Sequence, residues 1–134
     1  MNIVVLGGDG FCGWPTSLKL SKSGHSVTIL DNLSRRNIDE ELGSNSLTDI
    51  VSIEKRCETA RDLGMNVRFE FCDLTDYNSL KQKLIAVKPE AIVHFAEQRA
   101  APYSMISQKE RRYTVDNNIT ATHNVLSAIV DIDR

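Results

Sequence analysis

The residues with the clearest chemical potential are four glycines that directly follow a short apolar run at the amino terminus. Gly8, Gly10 and Gly13 fit the pattern G-x-G-x-x-G, and Gly7, Gly10 and Gly13 fit the related G-x-x-G-x-x-G. The first glycines permit a tight turn out of the strand, Gly10 lets the backbone approach a pyrophosphate, and Gly13 lets the following helix pack close to the sheet. The N-terminus of the following helix favours an anion. The spacing therefore predicts a phosphate-binding loop.

An acidic residue, Asp31, lies 18 residues beyond Gly13. A carboxylate at about this separation holds the ribose 2′-hydroxyl of a bound dinucleotide. It would repel the additional 2′-phosphate of NADP, so it favours NAD. Arg35 and Arg36 could instead favour NADP, although an arginine here can equally stack on adenine or face the pyrophosphate. We therefore expect NAD as the cofactor.

Strand and helix patterns alternate along the chain and place these groups. Strands are predicted over 2–6, 26–30 (ending on Asp31), 66–72 and 90–96. Helices are predicted over 16–23, 77–87 and 107–130, and the polar stretch 34–64 is predicted to be mostly helical, with Ile50, Ile53 and Cys57 at helical spacing. This alternation predicts βαβ units and an α/β fold, a Rossmann-type doubly wound parallel sheet of about four strands. The expected strand order is 3-2-1-4, with the binding crevice beside strand 1.

Composition argues against several other classes of protein. The 134 residues carry a net charge of −2, and no basic tract suggests a nucleic-acid partner. No apolar run approaches the roughly 18 residues that cross a bilayer, so we expect no membrane association. Cys12, Cys57 and Cys72 are far apart and form neither a disulfide framework nor a C-x-x-C metal site. We expect no metal, a cytoplasmic location, and a Cys12 packed as a small buried residue.

Four segments carry a family resemblance: GGDGFCGW, DNLSRR, CDLTD and VHFAEQRAAPYSM. Together they resemble the extended short-chain dehydrogenase/reductase (NAD-dependent epimerase/dehydratase) family, and within it the UDP-sulfoquinovose synthases. EQRAAPYSM is the discriminating stretch. NNITATHNVLSAI is similar to the family helix N-x-x-G-T-x-N, with Ala121 in place of the glycine. The resemblance implies oxidation of UDP-glucose at C4 by NAD, loss of water, addition of sulfite at C6 and return of the hydride to C4.

The same resemblance implies which residues surround the cofactor and the sugar nucleotide. It assigns cofactor binding to Gly7, Gly10, Phe11, Cys12, Gly13, Asp31, Asn32, Arg35, Asp73, Leu74, Ala96, Arg99 and Asn117. It assigns substrate binding to Gln98, Arg99, Tyr103 and Ser104. An arginine suits the substrate position because its planar fork can pair with a diphosphate. The resemblance also implies a homo-oligomer.

Members of this family take the proton of the sugar hydroxyl with a Tyr-x-x-x-Lys pair, in which lysine lowers the pKa of the tyrosine. Tyr77 and Lys81 have this spacing. They open the helix after the third strand, on the adenine side, whereas the family pair follows a fifth strand. We interpret them as a chance match and name no catalytic residue.

The resemblance covers about the first third of a family member. We therefore expect residues 1–134 to be the N-terminal part of an NAD(P)-binding domain, without the substrate domain and without the catalytic pair. A gene fragment and a split enzyme with a separate C-terminal chain both fit this expectation. Two other functions stay open: a UDP-glucose epimerase or dehydratase, which has no obvious use for EQRAAPYSM, and a non-catalytic nucleotide-binding module.

Overall fold

The computed structural model describes residues 1–99 and 101–133, and strands alternate with helices throughout them. The strands are β1 (Asn2–Leu6), β2 (Ser26–Asp31), β3 (Val67–Phe71) and β4 (Ala91–His94). The helices are α1 (Gly13–Lys22), α2 (Ser34–Glu41), α3 (Ile53–Asp62), α4 (Tyr77–Val87) and α5 (Gln108–Ile132). A short 3-10 helix, Tyr103–Met105, lies between β4 and α5.

The four strands form one parallel sheet in the order β3-β2-β1-β4, which confirms the predicted order. β1 lies between β2 and β4, with Val5 opposite Ile29 on one side and opposite Val93 on the other. Parallel strands need crossover connections, and these bring helices over both faces of the sheet. The prediction of a doubly wound α/β fold is therefore confirmed.

Two hydrophobic clusters, one on each face of the sheet, explain why β1 is apolar at nearly every position. Ile3 and Val5 belong to the cluster that includes the α3 side chains, whereas Val4 and Leu6 belong to the cluster with α4 and α5. Successive side chains of a strand point to opposite faces, so a strand covered on both faces shows no polar alternation. The burial of β1 fixes the loop that follows it.

The segment 34–64 is mostly helical, as predicted, but a break in the helix was not predicted. Its two helices are separated by residues 42–52, and Ile50, expected on the same helical face as Ile53 and Cys57, is exposed outside α3. Gly43 has a φ of +61° just beyond α2, a conformation that favours glycine and ends helices. Ser52 N-caps α3 by accepting a hydrogen bond from the N–H of Lys55. The predicted fourth strand, 90–96, is also shorter than expected.

Asp76 caps the N-terminus of α4, and its Oδ1 accepts a hydrogen bond of 3.1 Å from the N–H of Ser79. Asp76→Ala removes this acceptor, so we expect the free energy of unfolding to fall by about 1 kcal/mol in urea denaturation. Asp76→Asn keeps a capping oxygen and serves as the matched control. An equal loss in both variants would contradict the capping role.

Candidate functional site

A cavity of about 550 Å³ opens beside β1, at the carboxyl ends of the strands. Its walls are the glycine loop (residues 7–13), the end of β2 with the start of α2, the segment that follows β4, and part of α5. β2 and β4 flank β1, so the connections on either side of β1 diverge at this point. Ligands of doubly wound sheets bind in a crevice of this kind. The crevice lies where the sequence predicted it.

Three glycines of the loop are required by packing. A Cβ atom added at Gly7 would lie 2.6 Å from the N atom of Ala96, and one added at Gly8 would lie 2.4 Å from Cγ2 of Ile29. A Cβ atom added at Gly13 would lie 2.1 Å from the carbonyl oxygen of Gly7. Each distance is shorter than any normal contact, so none of these positions accommodates a side chain without movement. The loop therefore lies directly against the sheet and against the start of α1.

Gly10 differs from the other three glycines. A Cβ atom there would meet only the carbonyl oxygen of Gly7, at 3.4 Å, and Gly10 lines the cavity. The neighbouring N-terminus of α1 has no side-chain cap, because Cys12 at the N-cap makes no capping bond, and the first turn contains no acidic residue. Uncapped N–H groups and the helix dipole favour an anion at this end. Open space beside such a helix end fits a pyrophosphate.

Asp31 lines the cavity at the end of β2, and its carboxylate is held by two backbone groups. Oδ1 accepts a hydrogen bond of 2.8 Å from the N–H of Leu33, and Oδ2 accepts one of 2.9 Å from the N–H of Asp9. Burial raises the pKa of Asp31, and these two bonds oppose that rise. A carboxylate has about four acceptor positions, so both oxygens can still accept ribose hydroxyls.

A partly buried ion cluster beside Asp31 was not predicted. The Asp9 carboxylate accepts hydrogen bonds from Nε and Nη2 of Arg36, at 2.7 Å and 3.0 Å, and also contacts Nη2 of Arg56. The Arg56 guanidinium lies 4.7 Å from the ring centre of Trp14. The sequence leaves open whether Arg36 contacts a 2′-phosphate, adenine or the pyrophosphate, whereas in the structure Arg36 is bound to Asp9. Nothing local in the sequence links Asp9 to an arginine 47 positions away.

The segment that follows β4 is attached to α5 by Asn118, another residue that the sequence did not single out. The N–H of Gln98 donates to Oδ1 of Asn118 at 2.8 Å, and Nδ2 of Asn118 donates back to the carbonyl of Gln98 at 2.9 Å. Such a reciprocal pair fixes the backbone as a neighbouring strand would. It holds the residues on either side of Gln98 against the cavity.

Most of the predicted site residues line this one cavity. They are Gly7, Gly10, Phe11, Cys12, Gly13, Asp31, Asn32, Arg35, Leu74, Ala96, Gln98, Arg99, Tyr103 and Asn117. Ser104 and Asp73 are not among the lining residues. The Asp73 carboxylate instead accepts hydrogen bonds from the N–H and the hydroxyl of Thr75, at 2.9 Å and 2.8 Å. The roles of all these residues stay predictions.

Cys12 is exposed, so the expectation that it packs as a small buried residue was wrong. Its position at the N-cap of α1, on the cavity wall, explains the exposure.

Tyr77 and Lys81 lie outside the cavity and form a surface cluster with Asp131. The Tyr77 hydroxyl donates to Oδ2 of Asp131 at 2.5 Å, and Nζ of Lys81 lies 2.8 Å from the same oxygen. The hydrogen bond to Asp131 raises the pKa of Tyr77, whereas a tyrosine base needs a lowered pKa. This geometry supports the interpretation of the Tyr-x-x-x-Lys spacing as a chance match.

Residues 1–99 and 101–133 contain neither a metal cluster nor a membrane-spanning helix. Within them, no group of three or more His, Cys, Asp or Glu side chains is arranged to hold a metal ion. None of their helices combines the length and the apolar character that crossing a membrane requires.

Comparisons with known proteins agree with this geometry. A family model described as the NAD dependent epimerase/dehydratase family matches residues 3–134. The chain is 46% identical to the UDP-sulfoquinovose synthase of Sulfolobus acidocaldarius, over 99% of this chain and 34% of that protein. It is 45% identical to the chloroplastic UDP-sulfoquinovose synthase of Spinacia oleracea, over 98% of this chain and 28% of that protein. The chain thus spans about a third of the length of these relatives.

More distant similarities point to epimerases. A bifunctional UDP-glucose 4-epimerase and UDP-xylose 4-epimerase of Pisum sativum is 32% identical over 92% of this chain and 31% of that protein. Among solved structures, the UDP-glucose-4-epimerase of Stenotrophomonas maltophila, solved with bound NAD and formylated UDP-arabinopyranose, superposes with a TM-score of 0.74. That match has 26% identity and covers 99% of this chain and 34% of that one.

Proposed function

The chain belongs to the NAD-dependent epimerase/dehydratase family, and from this premise we propose that it is the NAD-binding part of a UDP-sulfoquinovose synthase. The observation that carries the proposal is the cavity beside β1, in which the open space at Gly10 lies near the fixed carboxylate of Asp31. Identity of 46% to a synthase, against 32% to an epimerase, favours the synthase as the parent activity.

The residues of the cavity fit an extended dinucleotide from one end to the other. The N-terminus of α1 and Gly10 would hold the pyrophosphate, and Asp31 would accept the hydroxyls of the adenosine ribose. Asn32, Arg35 and Leu74 would surround the adenine. Ala96 and the residues after it would lie along the nicotinamide half. When bound, NAD would supply the acceptor and donor of a hydride.

Contacts with UDP-glucose are assigned to the segment after β4 and to the 3-10 helix. Gln98 and Arg99 line the cavity, and the bond between Gln98 and Asn118 holds their backbone. Arg99 would pair its guanidinium with the diphosphate of the sugar nucleotide. Tyr103 also lines the cavity, and Ser104 lies next to it in the 3-10 helix.

The same proposal assigns residues 1–134 to cofactor binding and places the sugar domain and the catalytic Tyr-x-x-x-Lys pair in polypeptide outside them. That polypeptide belongs either to the same longer protein or to a separate C-terminal chain. A UDP-glucose 4-epimerase is the second candidate activity, favoured by the 26% identity and the TM-score of 0.74 to the Stenotrophomonas enzyme. A homo-oligomer and a cytoplasmic location remain predictions.

Cofactor preference tests the proposal directly. We expect the chain to bind NAD more tightly than NADP, because the Asp31 carboxylate accepts ribose hydroxyls and repels a 2′-phosphate. Asp31→Ala should weaken NAD binding by about 1–3 kcal/mol, since polar groups then lose their partner, and should narrow the gap to NADP. Isothermal titration calorimetry measures the affinities for NAD and NADP.

Asp62→Ala, which removes an exposed carboxylate at the end of α3, is the control. NADP binding as tight as NAD binding in the unsubstituted chain would contradict the proposal.

A further inference from the structure

Asp9 is the residue of the glycine loop that the proposed cofactor contacts leave unexplained. It lies between Gly8 and Gly10, and its backbone N–H donates to the Asp31 carboxylate at 2.9 Å. Its own carboxylate points away from water, with 5% of the side chain exposed. A negative charge inside a loop that receives a pyrophosphate works against binding unless it serves another purpose.

Two arginines neutralise this carboxylate. Arg36, at the start of α2, presents Nε and Nη2 to the two oxygens as a fork, at 2.7 Å and 3.0 Å. Arg56, from α3, contacts Oδ1 and lies against Trp14, with 12% of its side chain exposed. Asp9 is thus the anion that holds two partly desolvated guanidinium groups, which would be costly to bury without it.

Within residues 1–99 and 101–133, the site for the adenosine ribose is consequently left without a spare cation. Asp9 and Asp31 supply two carboxylates, and Arg36 and Arg56 supply two guanidiniums that Asp9 already engages. Among the described residues, the remaining arginine on the α2 side of the cavity is Arg35, whose Nε lies 3.4 Å from Asp39 in an exposed pair. Such a pair is weak, so Arg35 is free to turn. Its single guanidinium would nevertheless have to offset the Asp31 carboxylate as well as bind the 2′-phosphate.

We propose that Asp9 determines the cofactor preference by withholding Arg36 and Arg56 from the 2′ position of the adenosine ribose. This inference rests on the proposed dinucleotide site and deepens it. Asp31 repels a 2′-phosphate directly, whereas Asp9 acts through the arginines that would otherwise bind it. Arg36 is the more important of the two, because it follows Asp31 closely in the chain and 32% of its side chain is exposed.

Asp9→Asn tests the proposal, because it keeps the shape of the side chain and removes its charge. We expect the ratio of the NADP to the NAD dissociation constant to fall by roughly tenfold or more, since a charge-assisted arginine–phosphate pair then becomes available. Adenosine 2′,5′-bisphosphate and 5′-AMP, measured by calorimetry, should show the same shift. Asp39→Asn is the matched control, because it removes a carboxylate of the same cavity and releases only Arg35. It should change the ratio by less than about threefold.

Two variants assign the effect to Arg36. Asp9→Asn combined with Arg36→Gln should lose most of the gain for NADP. Arg36→Gln alone should leave the ratio unchanged, because Asp9 already withholds this guanidinium. A selective loss of NADP binding in Arg36→Gln would show that Arg36 serves a 2′-phosphate in the unsubstituted chain. That result would overturn the proposal even if Asp9→Asn failed to fold.

The remaining outcomes separate this inference from the proposed function. If the unsubstituted chain binds NAD and Asp9→Asn, folded by circular dichroism, keeps the original ratio, Asp9 does not set the preference and the proposed function stands. If the unsubstituted chain binds neither dinucleotide nor 5′-AMP, the proposed function is wrong and the inference falls with it.

Discussion

Replacing Gly10 with valine is expected to abolish dinucleotide binding while the chain still folds. A Cβ atom at Gly10 meets only one atom within 4 Å, at 3.4 Å, so the folded chain has room for a side chain there. That room is where the proposed pyrophosphate lies, and a β-branched side chain would fill it and restrict the backbone. We expect the affinity for NAD to fall at least about a hundredfold, or about 2.8 kcal/mol. Calorimetry measures the loss, and thermal denaturation checks the fold.

Gly13→Ala is the matched comparison, because it adds a smaller side chain to the same loop. Its Cβ atom would lie 2.1 Å from the carbonyl oxygen of Gly7 and 2.6 Å from Cα of Gly8. Both neighbours are backbone atoms held between β1 and α1. We expect Gly13→Ala to reduce the free energy of unfolding by about 3 kcal/mol or more, at the upper end of the cost of overpacking.

The two variants together separate a binding role from a structural one. Unchanged NAD affinity in a folded Gly10→Val chain would reduce the loop to a structural turn. A Gly13→Ala chain as stable as the unsubstituted one would show that the approach of α1 to β1 is not fixed by this glycine.

The glycine motif illustrates how far the sequence predicts the site. G-x-G-x-x-G predicted the loop, its place after β1 and its position in the cavity. It assigned the approach to a pyrophosphate to Gly10 and the close packing of the helix to Gly13, but it did not predict that Gly7 and Gly8 are packed against Ala96 and Ile29. Those contacts depend on how close β2 and the segment after β4 come to the loop, and a pattern of residue types does not contain such distances.

The strands were predictable for a physical reason, and the side-chain clusters were not. Burial on both faces of the sheet leaves a nearly continuous apolar run in β1, which is visible without a structure. The bond of Asp9 to Arg56 and that of Asn118 to Gln98 join segments 47 and 20 positions apart. Charged and amide residues are common on helices, so nothing in the sequence marks these as partners. The prediction of a mostly helical 34–64 did not include the break at residues 42–52, where Gly43 follows one helix and Ser52 begins the next.

Residues 1–134 alone are expected to show no turnover of UDP-glucose, sulfite and NAD. Oxidation at a sugar carbon needs a base within hydrogen-bond reach of the hydroxyl proton. Tyr77 has the family spacing to Lys81, but its hydroxyl is bonded to Asp131, its pKa is raised, and it does not line the cavity. Mass spectrometry of the incubation should therefore detect no UDP-sulfoquinovose. Tyr77→Phe should leave NAD binding unchanged, because the proposed NAD contacts do not include Tyr77.

Joining residues 1–134 to the rest of a synthase should produce the reaction. The Sulfolobus synthase is 46% identical over the matched segment and contains about twice as much additional chain. A chimera that joins residues 1–134 to the remainder of that synthase should form UDP-sulfoquinovose, because the proposal places the sugar domain and the base in that part. The same chimera with Gly10→Val should form none, since its cofactor site is blocked, whereas the chimera with Tyr77→Phe should remain active.

Turnover by residues 1–134 alone that disappears in Tyr77→Phe would contradict the assignment of the base to polypeptide outside this chain. An inactive chimera that still binds NAD would instead count against the synthase as the parent activity.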